Sequence, residues 1–110
     1  MNKRQLPRFK DRERIAILNL DDKKVISEAE TADLSIKGVC FEADVELETR
    51  KQYIIVFGYL RITKLEVLSE ILVKYFKNGK QCYSAKFLEE DTLKKNKIRS
   101  YVEAIRIGKY

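Results

Sequence analysis

The chain has no histidine, a single proline, four glycines and only two cysteines in 110 residues. Without histidine, the side chain most often used as a general base and as a neutral metal ligand is missing. No GxxxxGK[ST] phosphate loop, no GxSxG nucleophile turn and no closely spaced set of metal-ligating side chains occurs. The usual parts of an enzyme are therefore absent, and a binding module with no resident cofactor or metal is expected. Cys40 and Cys82 are far apart in sequence, which argues against a zinc or redox motif and predicts two buried, unbridged thiols. The longest apolar run, Tyr53 to Phe57 and on past Gly58, is far shorter than the ~20 residues that span a bilayer. No signal-peptide core opens the chain, so a cytoplasmic protein without a membrane span is expected. Internal repeats and low-complexity segments are likewise lacking.

What is present is charge. Charged residues make up 36% and hydrophobic residues 45% of the chain, with a net charge of +6. That balance describes one globular domain with a charged exterior and an affinity for anions, whether nucleic acid, a membrane surface or a phosphorylated small ligand. The charge is concentrated at the start, where Lys3, Arg4, Arg8, Lys10, Arg12 and Arg14 are opposed only by Asp11 and Glu13. Residues 1–12 read as a flexible basic arm and residues 13–110 as the folded domain.

Two strings carry the chemistry. Arg4-Gln-Leu-Pro-Arg8 places two guanidiniums four residues apart, and each can donate paired hydrogen bonds to the O6 and N7 edge of guanine or grip a phosphate. Pro7 disfavours helix at Leu6. Extended, the four steps span up to ~13 Å, enough to wrap a dinucleotide. Arg8-Phe-Lys-Asp-Arg12 repeats the spacing and holds Arg12 as a substitute. Asp33-Leu-Ser-Ile-Lys-Gly38 adds a carboxylate acceptor, a hydroxyl, and a glycine where backbone turns tightly or approaches a ligand closely. Lys37 can add charge toward a phosphate. The same Asp, Ser and Gly also suit an ordinary turn between strands.

Most of the pattern is β. Ile15–Leu20, Val25–Leu34, Val39–Phe41 and Tyr53–Phe57 read as strands, with turns at Asp21–Lys24 and Thr49–Lys51. Leu65–Phe76 fits both a helical face and a strand. Asn78-Gly79 decides for a hairpin with Gln81–Phe87, whose Tyr83, Ala85 and Phe87 face inward while Lys86 faces out. Ile71, Val73 and Tyr75 alternate there with Glu70, Leu72 and Lys74. A helix over about 92–107 starts near Glu89-Glu90-Asp91 and stops near Gly108. Its Leu93, Lys97, Tyr101 and Ile105, with Ile98 and Val102, form a stripe fitted to cover a barrel mouth. The tyrosines and phenylalanines are expected in the core rather than on a base-stacking surface. Six short strands and one helix make a small closed barrel.

An RxxxR pair in an N-terminal arm followed by [D/N]xSxxG resembles the PilZ family, small bacterial β-barrels that bind cyclic di-GMP. Leu65–Val67, Tyr83–Phe87 and the terminal helix are similar to the family's closing strands and helix, whereas Ser69 and Ser84 stand where glycine is frequent. The resemblance implies a mainly β fold, a six-stranded antiparallel PilZ-like barrel with a C-terminal helix. It implies cyclic di-GMP as the ligand, with Arg4, Arg8, Asp33, Ser35 and Gly38 as its binding residues. It also implies an arm that changes conformation on binding, and a protein partner in motility, attachment or exopolysaccharide control. A nonspecific nucleic-acid-binding barrel and a PilZ-like interaction module without ligand remain the alternatives.

Overall fold

The computed structural model describes residues 13–58 and 64–106. Apolar and β-branched runs separated by polar turns produce six strands: β1 (Arg14–Asn19), β2 (Val25–Leu34), β3 (Gly38–Glu42), β4 (Gln52–Phe57), β5 (Leu65–Lys77) and β6 (Lys80–Phe87). One helix, α1 (Thr92–Arg106), follows them. The strands pair antiparallel in the order β1-β2-β3-β6-β5-β4, and β4 returns to β1. Closure gives every strand a neighbour on both sides.

The turns are the ones local chemistry dictates. Asn78 and Gly79 take φ of 54° and 78°, the left-handed pair that makes a tight hairpin follow strand twist. Arg50 at φ 69° lies in the expected turn before β4. Between β1 and β2 the Asp22 carboxylate accepts from the Lys24 N–H at 3.0 Å, while the Asn19 N–H reaches the Lys24 carbonyl at 2.9 Å.

Inward side chains fill the barrel. Ile15, Ile17, Phe41, Ile55, Phe57, Val67, Ile71 and Tyr83 are buried to within 1% of completely. Tyr83 and Ala85 face in and Lys86 faces out, as the alternation predicts, and Phe87 is partly buried against the same core. Ser69 also points inside at 0% exposure. Its hydroxyl donates to the Val67 carbonyl at 3.1 Å, so this departure from glycine leaves no unmet donor.

The barrel's two ends are closed differently. At one, the connection from β3 to β4 folds inward with Leu47 3% exposed. The Tyr83 hydroxyl ties it down, donating to the Val45 carbonyl at 2.8 Å and accepting from the Leu47 N–H at 2.9 Å. At the other end, Ile98, Val102 and Ile105 of α1 join the core, and the Tyr101 ring sits 5.6 Å from that of Phe57. The Asp91 carboxylate accepts from the Lys94 N–H at 3.0 Å and so caps the helix. Leu93 and Lys97 do not share in the stripe: both are exposed, Leu93 at 67%, and the covered face begins at Ile98. Gly108 lies outside the described residues. Among the described residues, no helix is long and apolar enough to cross a membrane.

Candidate functional site on the outer barrel wall

Asp33 and the turn that follows it stand at the helix-capped end, where β2 hands over to β3. The Ser35 N–H donates to the Gly38 carbonyl at 3.0 Å, closing the turn. The Ser35 hydroxyl accepts from the Lys37 N–H at 3.2 Å and lies 3.5 Å from the Gly38 carbonyl oxygen, so it shapes the loop as well as lining it. Gly38 is needed for close approach, not for a left-handed turn: a Cβ there would meet the Ala85 carbonyl oxygen at 2.3 Å. Glycine thus lets β3 lie against β6 at the point where the Phe87 N–H also bonds the Lys37 carbonyl at 2.9 Å. The turn is held to the barrel on both sides.

The direction of Asp33 depends on an irregularity. Thr31 pairs with Phe41, yet Asp33 pairs with Cys40 and Leu34 with Val39. Ala32 is therefore an extra residue, a β-bulge. Thr31 and Leu34 are buried at 6% and 8%. In a regular strand Asp33 would point inward with Thr31; absorbing Ala32 turns it to the outer wall beside Cys40.

A second bulge on β5 does the same. Ile71 pairs with Ala85 inside the barrel, but Val73 pairs with Ser84 and Tyr75 with Cys82 on the outside. Leu72 is the extra residue. The simple alternation of Ile71, Val73 and Tyr75 therefore breaks, with Ile71 at 0% and Val73 at 47% exposure. Cross-strand pairing then lines up Asp33, Cys40, Ser84 and Val73 in one outward row over β2, β3, β6 and β5.

Further along the same wall is an open groove of about 500 Å³, lined among others by Glu28, Glu30, Glu42, Asp44, Arg14 and Phe76. The Arg14 guanidinium lies 2.9 Å from the Glu28 carboxylate and 3.9 Å from that of Glu30. Four carboxylates against one arginine and the nearby Lys80 make this half unfit for an anion. An anionic ligand is left with the Asp33 end, where Lys37 is exposed.

Arg4, Arg8 and the substitute Arg12 lie outside the described residues. Their point of attachment is described. The Glu13 N–H donates to the Thr31 hydroxyl at 3.0 Å, and the Thr31 N–H donates to the Glu13 carbonyl at 2.9 Å. The chain thus enters β1 alongside Thr31, two residues before Asp33. The Glu13 carboxylate is 3.4 Å from the Tyr101 hydroxyl of α1.

Two residues of this wall escaped the sequence reading. Cys40 is half-buried rather than buried, and Tyr75 lies on the outer surface rather than in the core. Burial pushes the Tyr75 phenol up to about 12, helped by a hydrogen bond to the Cys40 thiol and by the charges of Cys40, Cys82 and Asp33. Only the register across the two bulges reveals this group. Cys82 is buried at 2%, and neither cysteine is in a disulfide. Among the described residues, no group of three or more His, Cys, Asp or Glu is placed to hold a metal ion.

No protein-family model and no curated protein matches the sequence. Solved structures do match the fold. YcgR of Escherichia coli in complex with c-di-GMP superposes with a TM-score of 0.70 at 12% identity, over 87% of this chain and 42% of that one. The PilZ domain of CeSA from a cellulose-synthesizing bacterium gives 0.66 at 15% identity, over 90% and 97%. The inhibitor of motility MotI/DgrA of Bacillus subtilis gives 0.67 at 10% identity, over 99% and 54%. The chain thus spans about half or less of the length of YcgR and of MotI/DgrA, and nearly all of the CeSA domain. The closed six-stranded antiparallel barrel with its C-terminal helix is a PilZ-like fold.

Proposed function

We propose that the protein is a cyclic di-GMP receptor domain. The observation that carries this reading is the meeting of two chain segments at one end of a PilZ-like barrel. The segment bearing Arg4 and Arg8 enters the fold beside Thr31, and the Asp33–Gly38 turn begins two residues further along β2. Arg8 is five residues from Glu13 and Arg4 nine, so their backbones reach up to ~17 Å and ~30 Å from that junction. Both distances suffice to close over a ligand seated at the turn.

In this reading Asp33 accepts from the Watson–Crick edge of a guanine, the arginines hold guanine O6 and N7 or the phosphates, and Ser35 and Lys37 add polar contacts. Gly38 keeps the turn pressed against β6. Ligand capture orders the arm over the outer wall, and the altered face is what a protein partner reads. Ordering costs conformational entropy that several charge-assisted contacts offset. Structures with this fold include one in complex with c-di-GMP and one called an inhibitor of motility, which supports a partner in motility, attachment or exopolysaccharide control. The chain is read as a binding module, not an enzyme, and as cytoplasmic.

The test is a calorimetric titration with cyclic di-GMP, with GTP and a short DNA duplex as controls. Arg4→Ala and Arg8→Ala are each expected to weaken cyclic di-GMP by about 5- to 150-fold, the worth of one bidentate contact, while barely changing the melting temperature. Unchanged affinity in both would remove the arginine clasp. Loss in Arg12→Ala alone would move the pair by four residues.

A further inference from the structure

β5 is longer than the strand beside it. Its ladder with β4 runs from Leu65 to Glu70, where Gln52 is the last partner. The backbone just before β4 carries it one residue further: the Ile71 N–H donates to the Lys51 carbonyl at 3.1 Å, and the Arg50 N–H donates to the Ile71 carbonyl at 2.7 Å. From Leu72 to Lys77 only β6 pairs with β5 among the described residues. The direction of each backbone group follows from the pairing. Lys77 and Lys80 flank the two-residue Asn78-Gly79 turn and so exchange bonds, as Tyr75 and Cys82 do two residues further back. Lys74 and Phe76 lie at the alternate positions. Their N–H and carbonyl groups therefore point away from β6, and no described backbone group meets them.

The side chains along this open edge select what can pair with it. Phe76 is 66% exposed, a large ring beside unpaired backbone. Lys77 and Lys80 are exposed and directly opposite each other, a like-charge pair that costs stability and that a neighbouring carboxylate relieves. From Ile71 to Phe87 the sequence holds lysines but no carboxylate, and the Lys74 ammonium is already held by Glu46. Lysines and a bulge are guards against chance strand pairing. They repel a second copy of the same edge and admit an acidic strand. An anionic membrane is opposed by the other side of the hairpin, where Phe76 and Lys80 border a groove that Glu28, Glu30, Glu42 and Asp44 also line.

We infer that the Lys74–Lys77 edge of β5 is a docking site for an extended, acidic segment of a partner protein, which adds to the barrel as an antiparallel strand. Lys74 and Phe76 supply the backbone bonds, the Phe76 ring receives an apolar side chain, and Lys77 with Lys80 receives an acidic one. The inference does not rest on the cyclic di-GMP reading. Val73 is level with Asp33 across the ladder, and the edge runs from there away from the Asp33–Gly38 turn.

Amide hydrogen exchange of the full chain, read residue by residue by NMR, tests it. In the free protein the Lys74 and Phe76 amides are expected to exchange at least about tenfold faster than that of Tyr75. The peptide Thr-Glu-Val-Thr-Val-Glu-Thr at about 5 mM is expected to slow both by about threefold or more. Lysine in place of both glutamates should weaken the peptide by about 2- to 10-fold, and N-methylation of both valines should abolish its effect. Lys77→Glu is expected to remove the preference for glutamate. No slowing by the glutamate peptide, equal binding of the glutamate and lysine peptides, or equal binding of the N-methylated one overturns the inference. So do Lys74 and Phe76 amides as slow as that of Tyr75 in the free chain, which would give the edge to a second copy if sedimentation showed a dimer. Slowing by phosphatidylglycerol vesicles but not by the peptide would give it to a membrane instead.

Discussion

The barrel has two kinds of wall. Between β1 and β4 the ladder runs through four consecutive pairs without a break, and both faces are apolar: Ile15, Ile17 and Ile55 point in, while Ala16, Leu18, Ile54 and Val56 form a second buried cluster on the other side. Across β2, β3, β6 and β5 the ladder is broken at Ala32 and again at Leu72. The outer surface there carries carboxylates, thiols, a hydroxyl and a tyrosine. Along the β1–β4 pair nearly every side chain is committed to packing, although β1 shifts register against β2 between Ile17 and Leu18. Where an extra residue is absorbed, at Ala32 and at Leu72, side chains that simple alternation assigns to the core, Asp33, Val73 and Tyr75, are delivered to the surface.

The largest expected effect attacks that contrast directly. Ile71 and Val73 are two residues apart and would share a face in an unbroken strand; across the Leu72 bulge they do not. Ile71→Lys drives an ammonium into the barrel and is expected to cost more than about 4 kcal/mol, enough to unfold a domain of ordinary stability. Val73→Lys is expected to stay within about 0.5 kcal/mol. Chemical denaturation of both checks it, and equal costs would erase the bulge from the account.

A smaller effect is expected at the seam between the turn and the barrel. Gly38→Ala places a methyl group 2.3 Å from the Ala85 carbonyl oxygen, and both groups belong to paired backbone, so β3 must move away from β6. The expected loss is about 1–3 kcal/mol, with a fall in ligand affinity as the Ser35–Gly38 loop shifts. A variant as stable as the parent would show that the strands can separate freely there.

Much of this was legible in the residues. β2 matches its sequence reading from Val25 to Leu34, the Asn78-Gly79 turn announces its hairpin, and Asp33-x-Ser-x-x-Gly38 marks the turn. These signals are local, set by side-chain period or by the φ a residue tolerates. The bulges are not. Nothing in Thr31-Ala32-Asp33 or Ile71-Leu72-Val73 says which residue the partner strand skips, because that is decided by register across the closed barrel. Tyr75 was therefore assigned by type to the core, and the cysteines, distant in sequence, gave no hint that Cys40 and Cys82 sit on one outer face of neighbouring strands. Leu93 failed for a simpler reason, since its stripe begins before the barrel mouth does.

The smallest effect is a pH dependence. The Tyr75 phenol is raised from its ordinary value of 10 to about 12, first by burial and then by the Cys40 hydrogen bond. The folded chain therefore holds this proton more tightly than the unfolded chain. The resulting stability is complete below pH 10 and is lost as pH rises through about 12. Relative to the parent, Tyr75→Phe should flatten the decline in stability across pH 10 to 12. Parallel curves for the two proteins would place the phenol in ordinary solvent.

The central claim is that the broken wall is built to recognise guanine and is not merely a basic surface. One titration tests it most directly: cyclic di-GMP and a short DNA duplex, each added to the parent and to Asp33→Ala. The substitution removes a negative charge, so attraction for any phosphate can only grow. The account predicts that cyclic di-GMP nevertheless binds about 5- to 150-fold more weakly, while DNA associates no more weakly than before. Tighter binding of both ligands by Asp33→Ala would contradict it.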